Sequence, residues 1–383
     1  HGTVLTRWLL TTVVFFGAFL LFSVEFLVAN LLTPRFGGGA ITWLTALMFF
    51  QVVLFFGYAY AHYIAPKIKA WHLLVIGTAG LMLPVRVTTT ALDAHPIIEV
   101  VWAISGAVLL PFFVLSTTSV VMQIWWAASE DTEGEPYPLY AASNLGSVTA
   151  LLAYPLLIDP FLGLNIQRWL WAIAFAIFWG FVTASWLRAK PKILIADKTE
   201  DTHTRPSPMR WLVWSILPST FLLAVTSYIV SEVGSFPLLW MLPLLAYLLS
   251  FIVVFGEKLP LGRLKNWWPE TLVLCFVAPV FLTSQGPIAI ALIVLGLFLL
   301  STTLHQILYE KRPKDSELSR YFLWVSAGGA LGGIIGNLVP PLLFPRATEY
   351  FILLLVITAV LTLWERRAVL QWLAKVPLWL GTP

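Results

Sequence analysis

The sequence repeats one tetrapeptide, first as Leu115-Ser116-Thr117-Thr118 and again as Leu300-Ser301-Thr302-Thr303. Each copy lies in an apolar run and is followed by a charged loop and a segment rich in small residues, which ends in proline at Pro155 and Pro340. Duplicated hydrophobic halves are typical of transporters, whose substrate site lies between the halves. The repeat therefore predicts a transporter-type membrane protein and leaves its substrate open.

Further features match between the halves in the same order. Both halves start with Arg-Trp-Leu, at Arg7 and Arg210. Both have a tryptophan near the outer end of the second helix, at Trp43 and Trp240, and a proline in a short third helix, at Pro84 and Pro279. Six spans return a chain to the side where it began, so the two halves run parallel. We predict an all-α membrane protein with about twelve transmembrane helices in two parallel six-helix repeats, the plan of the major-facilitator transporters.

The composition favours lipid as the main solvent. The chain has 383 residues, 59% of them hydrophobic and 11% charged, whereas a soluble domain carries about 25% charged residues. The net charge of +4 does not indicate a nucleic-acid partner, because cytoplasmic loops of membrane proteins collect Lys and Arg. The single cysteine, Cys275, excludes an intrachain disulfide and a cysteine metal site. We expect no cofactor and no metal.

A spanning helix needs about 20 apolar residues. We place the spans near 8–32, 40–64, 71–85, 99–127, 139–158, 166–187, 210–231, 236–255, 270–284, 287–309, 321–344 and 348–365. This predicts four parts: a first six-helix bundle over 1–187, a cytoplasmic linker over 188–209, a second six-helix bundle over 210–365 and an interfacial C-terminal segment over 366–383.

The Lys and Arg residues predict the orientation of the chain in the membrane. With a cytoplasmic amino terminus, all but four of the 23 Lys and Arg residues fall inside, the exceptions being Arg35, Arg86, Arg168 and Arg346. Such a bias indicates that both termini are cytoplasmic. We expect a multi-pass protein of the cell membrane, most simply a bacterial inner membrane.

Three stretches carry a resemblance to a known family. They are PFFVLSTTSVVMQIWWA with YPLYAASNLGSVTALLAYPLLIDPFLGL in the first half, SRYFLWVSAGGALGGIIGNLVPPLLF in the second, and Tyr228-Ile-Val-Ser231-Glu232. They resemble the integral membrane part of the fused major-facilitator/spermidine-synthase-like proteins. That resemblance implies a major-facilitator fold. The glycine strand-turn and acidic catalytic loop of the soluble aminopropyltransferase domain have no counterpart here, so we expect no enzyme activity.

The strongest candidate site residue is Glu25, because ionisable groups within spans are costly and are functional candidates by default. It lies about 27 Å from Arg7 along a helix, in the outer part of the membrane. The functional interpretation is a proton-coupling or cation-binding carboxylate. The alternative is a structural acid paired with a neighbour, for which Arg35 is the nearest basic residue in sequence.

Other polar residues within the spans are further candidates for substrate or proton binding. Glu232 lies near the outer end of the seventh helix, opposite Asn30 when the halves are aligned, and His305 directly follows the second LSTT copy. The remaining candidates are Asn30, Arg35, Gln123, Asn144 and Asn337. Each has a structural alternative, in which it bonds to a neighbouring helix.

These features favour an alternating-access, proton-coupled transporter for a cationic small molecule such as a polyamine. The alternative is a non-transporting membrane subunit that anchors or stabilises a larger complex through a protein partner. The loop motif that latches major-facilitator proteins is degenerate here, since Gly57-Tyr-Ala-Tyr-Ala-His62 lacks its aspartate, and this favours the alternative. An intramembrane enzyme is disfavoured, because the spans contain no HExxH motif and no clustered carboxylates.

Overall fold

The regular structure of the chain is helical wherever the computed structural model describes it. The described residues are 2–87, 92–130, 132, 137–191, 207–233, 237–255, 265–283, 286–313, 318–344 and 348–364. Most of the predicted linker and the whole predicted interfacial segment 366–383 lie outside these ranges, and their placement stays a prediction.

Six main helices form the first half of the described chain, and each follows from an apolar run bounded by glycine, proline or charged residues. They are α1 (Gly2–Phe36), α2 (Ala40–Tyr63), α3 (Trp71–Ala79), α4 (Pro96–Ala128), α5 (Tyr137–Ala153) and α6 (Leu164–Ala189). A π-helical turn, Tyr154–Ile158, continues α5. Such turns interrupt the regular backbone hydrogen bonding of a helix and are frequent at functional sites.

The second half of the described chain has the same number of main helices. They are α7 (Pro208–Val233), α8 (Pro237–Phe255), α9 (Trp268–Val277), α10 (Gly286–Glu310), α11 (Leu318–Leu338) and α12 (Glu349–Trp364). Every predicted span therefore coincides with a helix. Among the described residues, 8 helices are long and apolar enough to cross a membrane.

The third helix of each half is short for a reason visible in the sequence. Helix α3 passes into a 3-10 turn, Gly80–Met82, shortly before Pro84, and α9 passes into a 3-10 segment, Ala278–Thr283, that contains Pro279. Proline has no backbone N–H and clashes with the preceding turn, so it ends a regular α-helix. The predicted prolines thus lie close to the points where these two α-helices stop.

The chain divides into two units. The first comprises His1–Pro208 with Pro313–Ala330, and the second comprises Met209–Arg312 with Leu331–Pro383. Helix α11 is divided between them, with its residues up to Ala330 in the first unit and those from Leu331 onward in the second.

In the first unit, α1 packs against α4, α5 and α6. Residue pairs joining α1 to α4 run in opposite order along the two helices: Arg7 with Trp126, Gly17 with Thr118, and Arg35 with Glu99. The two helices are therefore antiparallel. Against α5 the approach is closer, because a Cβ at Gly146 would lie 2.3 Å from the Phe15 carbonyl oxygen.

In the second unit, α11 packs on α7 through glycines. A Cβ at Gly332 would lie 2.8 Å from the Ile216 carbonyl oxygen, and one at Gly336 would lie 2.9 Å from Leu223. The Thr220 hydroxyl also donates to the Gly332 carbonyl oxygen across 3.3 Å. Small residues permit this close packing, as is common between membrane helices.

Candidate functional site

Glu25 is buried in the first unit and has no hydrogen-bond or ion-pair partner among the residues that the structure describes. The residue is 7% exposed. No hydrogen bond or ion pair joins its side chain to any described residue. Arg35, the partner considered from the sequence, instead lies 3.7 Å from the carboxylate of Glu99. The carboxyl of Glu25 is thus uncompensated among the residues that the structure describes.

The direction of the Glu25 side chain follows from the helix period. Gly17 faces Thr118 of α4, and Ala18 faces Gly146 of α5. Glu25 lies about two turns after Ala18, so it leaves α1 in nearly the same direction, on the side where α4 and α5 flank the helix. Helix α6 contacts α1 where the Trp171 indole donates to the Leu20 carbonyl oxygen at 3.1 Å.

A hydrogen-bonded network lies next to Glu25 along α1. The amide of Asn30 donates to Asp159 at 2.7 Å and to the hydroxyl of Tyr154 at 3.4 Å. The Tyr154 hydroxyl donates to the side-chain oxygen of Gln167, whose amide donates to the Leu162 carbonyl oxygen at 2.7 Å. Asn30 therefore ties the C-terminal part of α1 to the π-helical turn and to the start of α6.

Two other candidates of the first unit lie away from Glu25. Gln123 is half-buried on α4, where its amide donates to Ser119 at 3.4 Å. Gln123 and Glu25 lie on opposite sides of the Gly17–Thr118 contact, about 20 Å apart along the helix axes. Asn144 is half-buried on α5. The rings of Phe26 and Tyr154 lie side by side, and Asn144 precedes Tyr154 by ten residues. Asn144 therefore lies about 14 Å from Glu25 along the helix axis, toward the amino-terminal end of α1.

In the second unit, His305 lies in an aromatic and hydroxyl environment. It is 1% exposed, and its Nδ1 is 3.0 Å from the hydroxyl of Ser250 on α8. The rings of Tyr247 and Phe251 meet the imidazole edge-on at 5.2 and 5.3 Å. Two adjacent turns of one face of α8 thus contact the histidine.

The remaining predicted residues differ in environment. Glu232 is exposed near the end of α7, whereas Asn337 is 2% exposed on α11 and has an interaction partner. Neither is brought into contact with His305 by any described interaction.

One acidic residue was missed from the sequence. Glu349, the first residue of α12, accepts a hydrogen bond from the Ser227 hydroxyl at 2.8 Å, and its other carboxylate oxygen is buried without a hydrogen bond. The ring of Tyr350 stacks on Tyr228 beside it, with centroids 4.9 Å apart. An acid at the start of a span resembles an ordinary helix cap, and only its pairing with α7 reveals its burial.

Within the described residues, no three His, Cys, Asp or Glu side chains are placed to hold a metal ion.

Solved transporter structures share the fold. The nucleoside transporter NupG matches with a TM-score of 0.60 at 15% identity, over 95% of this chain and 99% of that one. A second NupG structure gives a TM-score of 0.58 at 13% identity, over 96% and 99% of the chains. A POT family transporter in complex with 5-aminolevulinic acid gives 0.54 at 14% identity, over 94% and 96%.

Sequence comparison adds no family. No protein-family model matches the chain, and no curated protein matches it. The structural likeness confirms the predicted major-facilitator fold of a multi-pass membrane protein. The resemblance to spermidine-synthase-like proteins stays a prediction.

Proposed function

We propose that this protein is a secondary carrier that exchanges protons for a small cationic solute, and that Glu25 is the group at which the two compete. The observation that carries the proposal is the buried carboxyl of Glu25, which has no hydrogen bond or ion pair among the described residues. Ionisable groups within membrane spans mark ion and substrate pathways. The chain has the fold of transporters for small polar molecules, which supports the same conclusion.

The exchange of proton for solute follows from the isolation of the carboxyl. An ionised carboxylate that is enclosed without a partner is costly, so Glu25 needs a proton or a cation whenever it is closed off from water. One carboxyl compensates one positive charge, so proton and solute bind in turn. Alternating access between the two six-helix halves then moves them in opposite directions.

A polyamine is the first solute to test. A carboxyl selects cations over anions, and the resemblance of the sequence to spermidine-synthase-like proteins motivates this cation class by analogy. The cell membrane and the cytoplasmic termini belong to the same proposal and rest on the distribution of Lys and Arg.

The test is uptake of labelled putrescine and spermidine by proteoliposomes with an acidic interior. We expect uptake to rise with the proton gradient in the wild type and to be lost in Glu25→Gln, which is nearly the same size and breaks no described bond. Glu310→Gln is the matched control, because Glu310 is an exposed acid that pairs with Lys265 at 2.8 Å. It should transport like the wild type.

Two results would overturn the proposal. Gradient-driven uptake that persists in Glu25→Gln would remove Glu25 from the coupling step. An absence of uptake of either amine by folded wild-type protein would reject the polyamine substrate, and copurification of a stable partner would then favour the membrane-subunit alternative.

A further inference from the structure

The serine hydroxyls of the two LSTT copies differ in their hydrogen bonding. In the first copy, Ser116 donates to the Phe113 carbonyl oxygen at 2.6 Å and Thr117 donates to the Val114 carbonyl oxygen at 2.7 Å. This bonding to the preceding turn is the ordinary arrangement in membrane helices. In the second copy, the hydroxyls of Thr302 and Thr303 also donate to carbonyl oxygens of the preceding turn, at 2.6 and 3.1 Å.

Ser301 is the exception. It is wholly buried, and its hydroxyl has no hydrogen-bond partner among the described residues. Buried polar groups are nearly always paired, so a specific exception needs a physical reason. The hydroxyl has not taken the backbone bond that its counterpart Ser116 makes, which leaves it available to a group that is absent from this conformation.

His305 offers a second unused group on the same face of α10. Residues four apart on a helix are neighbours, so His305 lies directly next to Ser301. The Ser250 hydroxyl donates its only proton to the Tyr247 carbonyl oxygen at 2.6 Å. Its oxygen must therefore accept from Nδ1–H of His305, 3.0 Å away.

This proton assignment determines the chemistry of the other ring nitrogen. A neutral imidazole carries one proton, so a protonated Nδ1 leaves Nε2 as a hydrogen-bond acceptor. No described residue bonds to Nε2. One face of α10 therefore presents an unused acceptor at His305 and an unused hydroxyl at Ser301.

We propose that Ser301 and His305 form a subsite for an uncharged hydroxyl group of a solute. A hydroxyl donates to Nε2 and accepts from the Ser301 hydroxyl, so it satisfies both groups at once. An ammonium group has no acceptor for the serine proton, and no acidic side chain bonds to either residue in the described structure. Ser301 and His305 are buried in this conformation, so a solute reaches the subsite only when the residues that cover this face of α10 move.

The test compares two probes with the same four-carbon chain, 1,4-butanediol and putrescine, together with D-ribose as a second hydroxylated probe. The readout is the melting temperature of the full chain in detergent. We expect butanediol or ribose to raise the melting temperature of the wild type and of Ser116→Ala, and to leave that of Ser301→Ala and His305→Phe unchanged. Putrescine should give the same shift in the wild type and in Ser301→Ala.

The variants without any probe supply a second test. Ser301→Ala should melt no lower than the wild type because it loses no bond, whereas Ser116→Ala should melt lower. A destabilised Ser301→Ala, a probe shift that survives this substitution, or a wild type that neither hydroxylated probe stabilises would overturn the subsite. Loss of putrescine uptake in Glu25→Gln is measured separately, so failure here leaves the exchange proposal standing.

Discussion

At the scale of single residues, the buried polar groups divide into those that hold helices together and those that have no partner within the described ranges. Tyr154 belongs to the first group, since its hydroxyl joins Asn30 of α1 to Gln167 of α6. Glu25, on the same part of α1, belongs to the second. Groups of the first kind stabilise the fold, and groups of the second kind are available for a ligand or a proton.

Tyr154→Phe should destabilise the protein, because it removes the hydroxyl and leaves the side-chain oxygen of Gln167 buried without a donor. Gln167 is 4% exposed, and an unsatisfied buried acceptor costs about 1–3 kcal/mol. The free energy of unfolding in detergent, followed by denaturant titration, measures this loss. Tyr63→Phe is the control, because Tyr63 is 57% exposed. Equal stability of the two variants would show that the Tyr154 network contributes nothing.

At the scale of helices, close approach through glycine recurs where the first and fifth helices of each half meet. Gly146 of α5 lies against Phe15 of α1, and Gly332 of α11 lies against Ile216 of α7. Both glycines lie in the segments rich in small residues that follow the two LSTT copies, and small residues permit close packing of membrane helices. Which helix each glycine would face was not predictable, because spacing defines a face of a helix and not the neighbour that covers it.

Gly146→Ala should separate α1 from α5, since the added Cβ would lie 2.3 Å from the backbone oxygen of Phe15. Overpacking of this kind costs about 1–3 kcal/mol. Gly180→Ala is the matched control, because a Cβ at Gly180 on α6 meets nothing within 4 Å and alanine is the better helix former. A thermal melt of the two variants in detergent should show a lower midpoint for Gly146→Ala alone. An unchanged Gly146→Ala would mean that the helices tolerate a wider spacing.

At the scale of the whole molecule, the fold was predictable and most of the site was not. Apolar runs and the prolines at Pro84 and Pro279 determine helix positions locally, so the sequence contains that information. The pairing of Arg35 with Glu99 and of Ser227 with Glu349 depends on helix register across long separations. A single sequence carries no signal for such register, so Glu25 could be named as a candidate but its isolation could not be predicted.

Helix α11 links this architecture to the proposed transport cycle. Near its start, Ser319 lies 3.0 Å from Nδ1 of His62 at the end of α2, within the first unit. Its last turns pack on α7 in the second unit through Gly332 and Gly336. Alternating access moves one half of a carrier against the other, so α11 cannot keep both sets of partners throughout a cycle. The hydrogen bond between His62 and Ser319 belongs to the set that we expect to open.

We therefore expect that joining α2 to α11 stops transport. In His62→Cys/Ser319→Cys, a short, reducible bifunctional thiol reagent should abolish putrescine uptake, and reduction should restore it. The native Cys275 is wholly buried and should not react. Lys265→Cys/Glu310→Cys is the control, because these residues form an ion pair inside the second unit and their linkage leaves α11 free. Uptake that continues after complete cross-linking of the 62–319 pair would show that α2 and α11 stay together, and that the movement occurs between α11 and α7 instead.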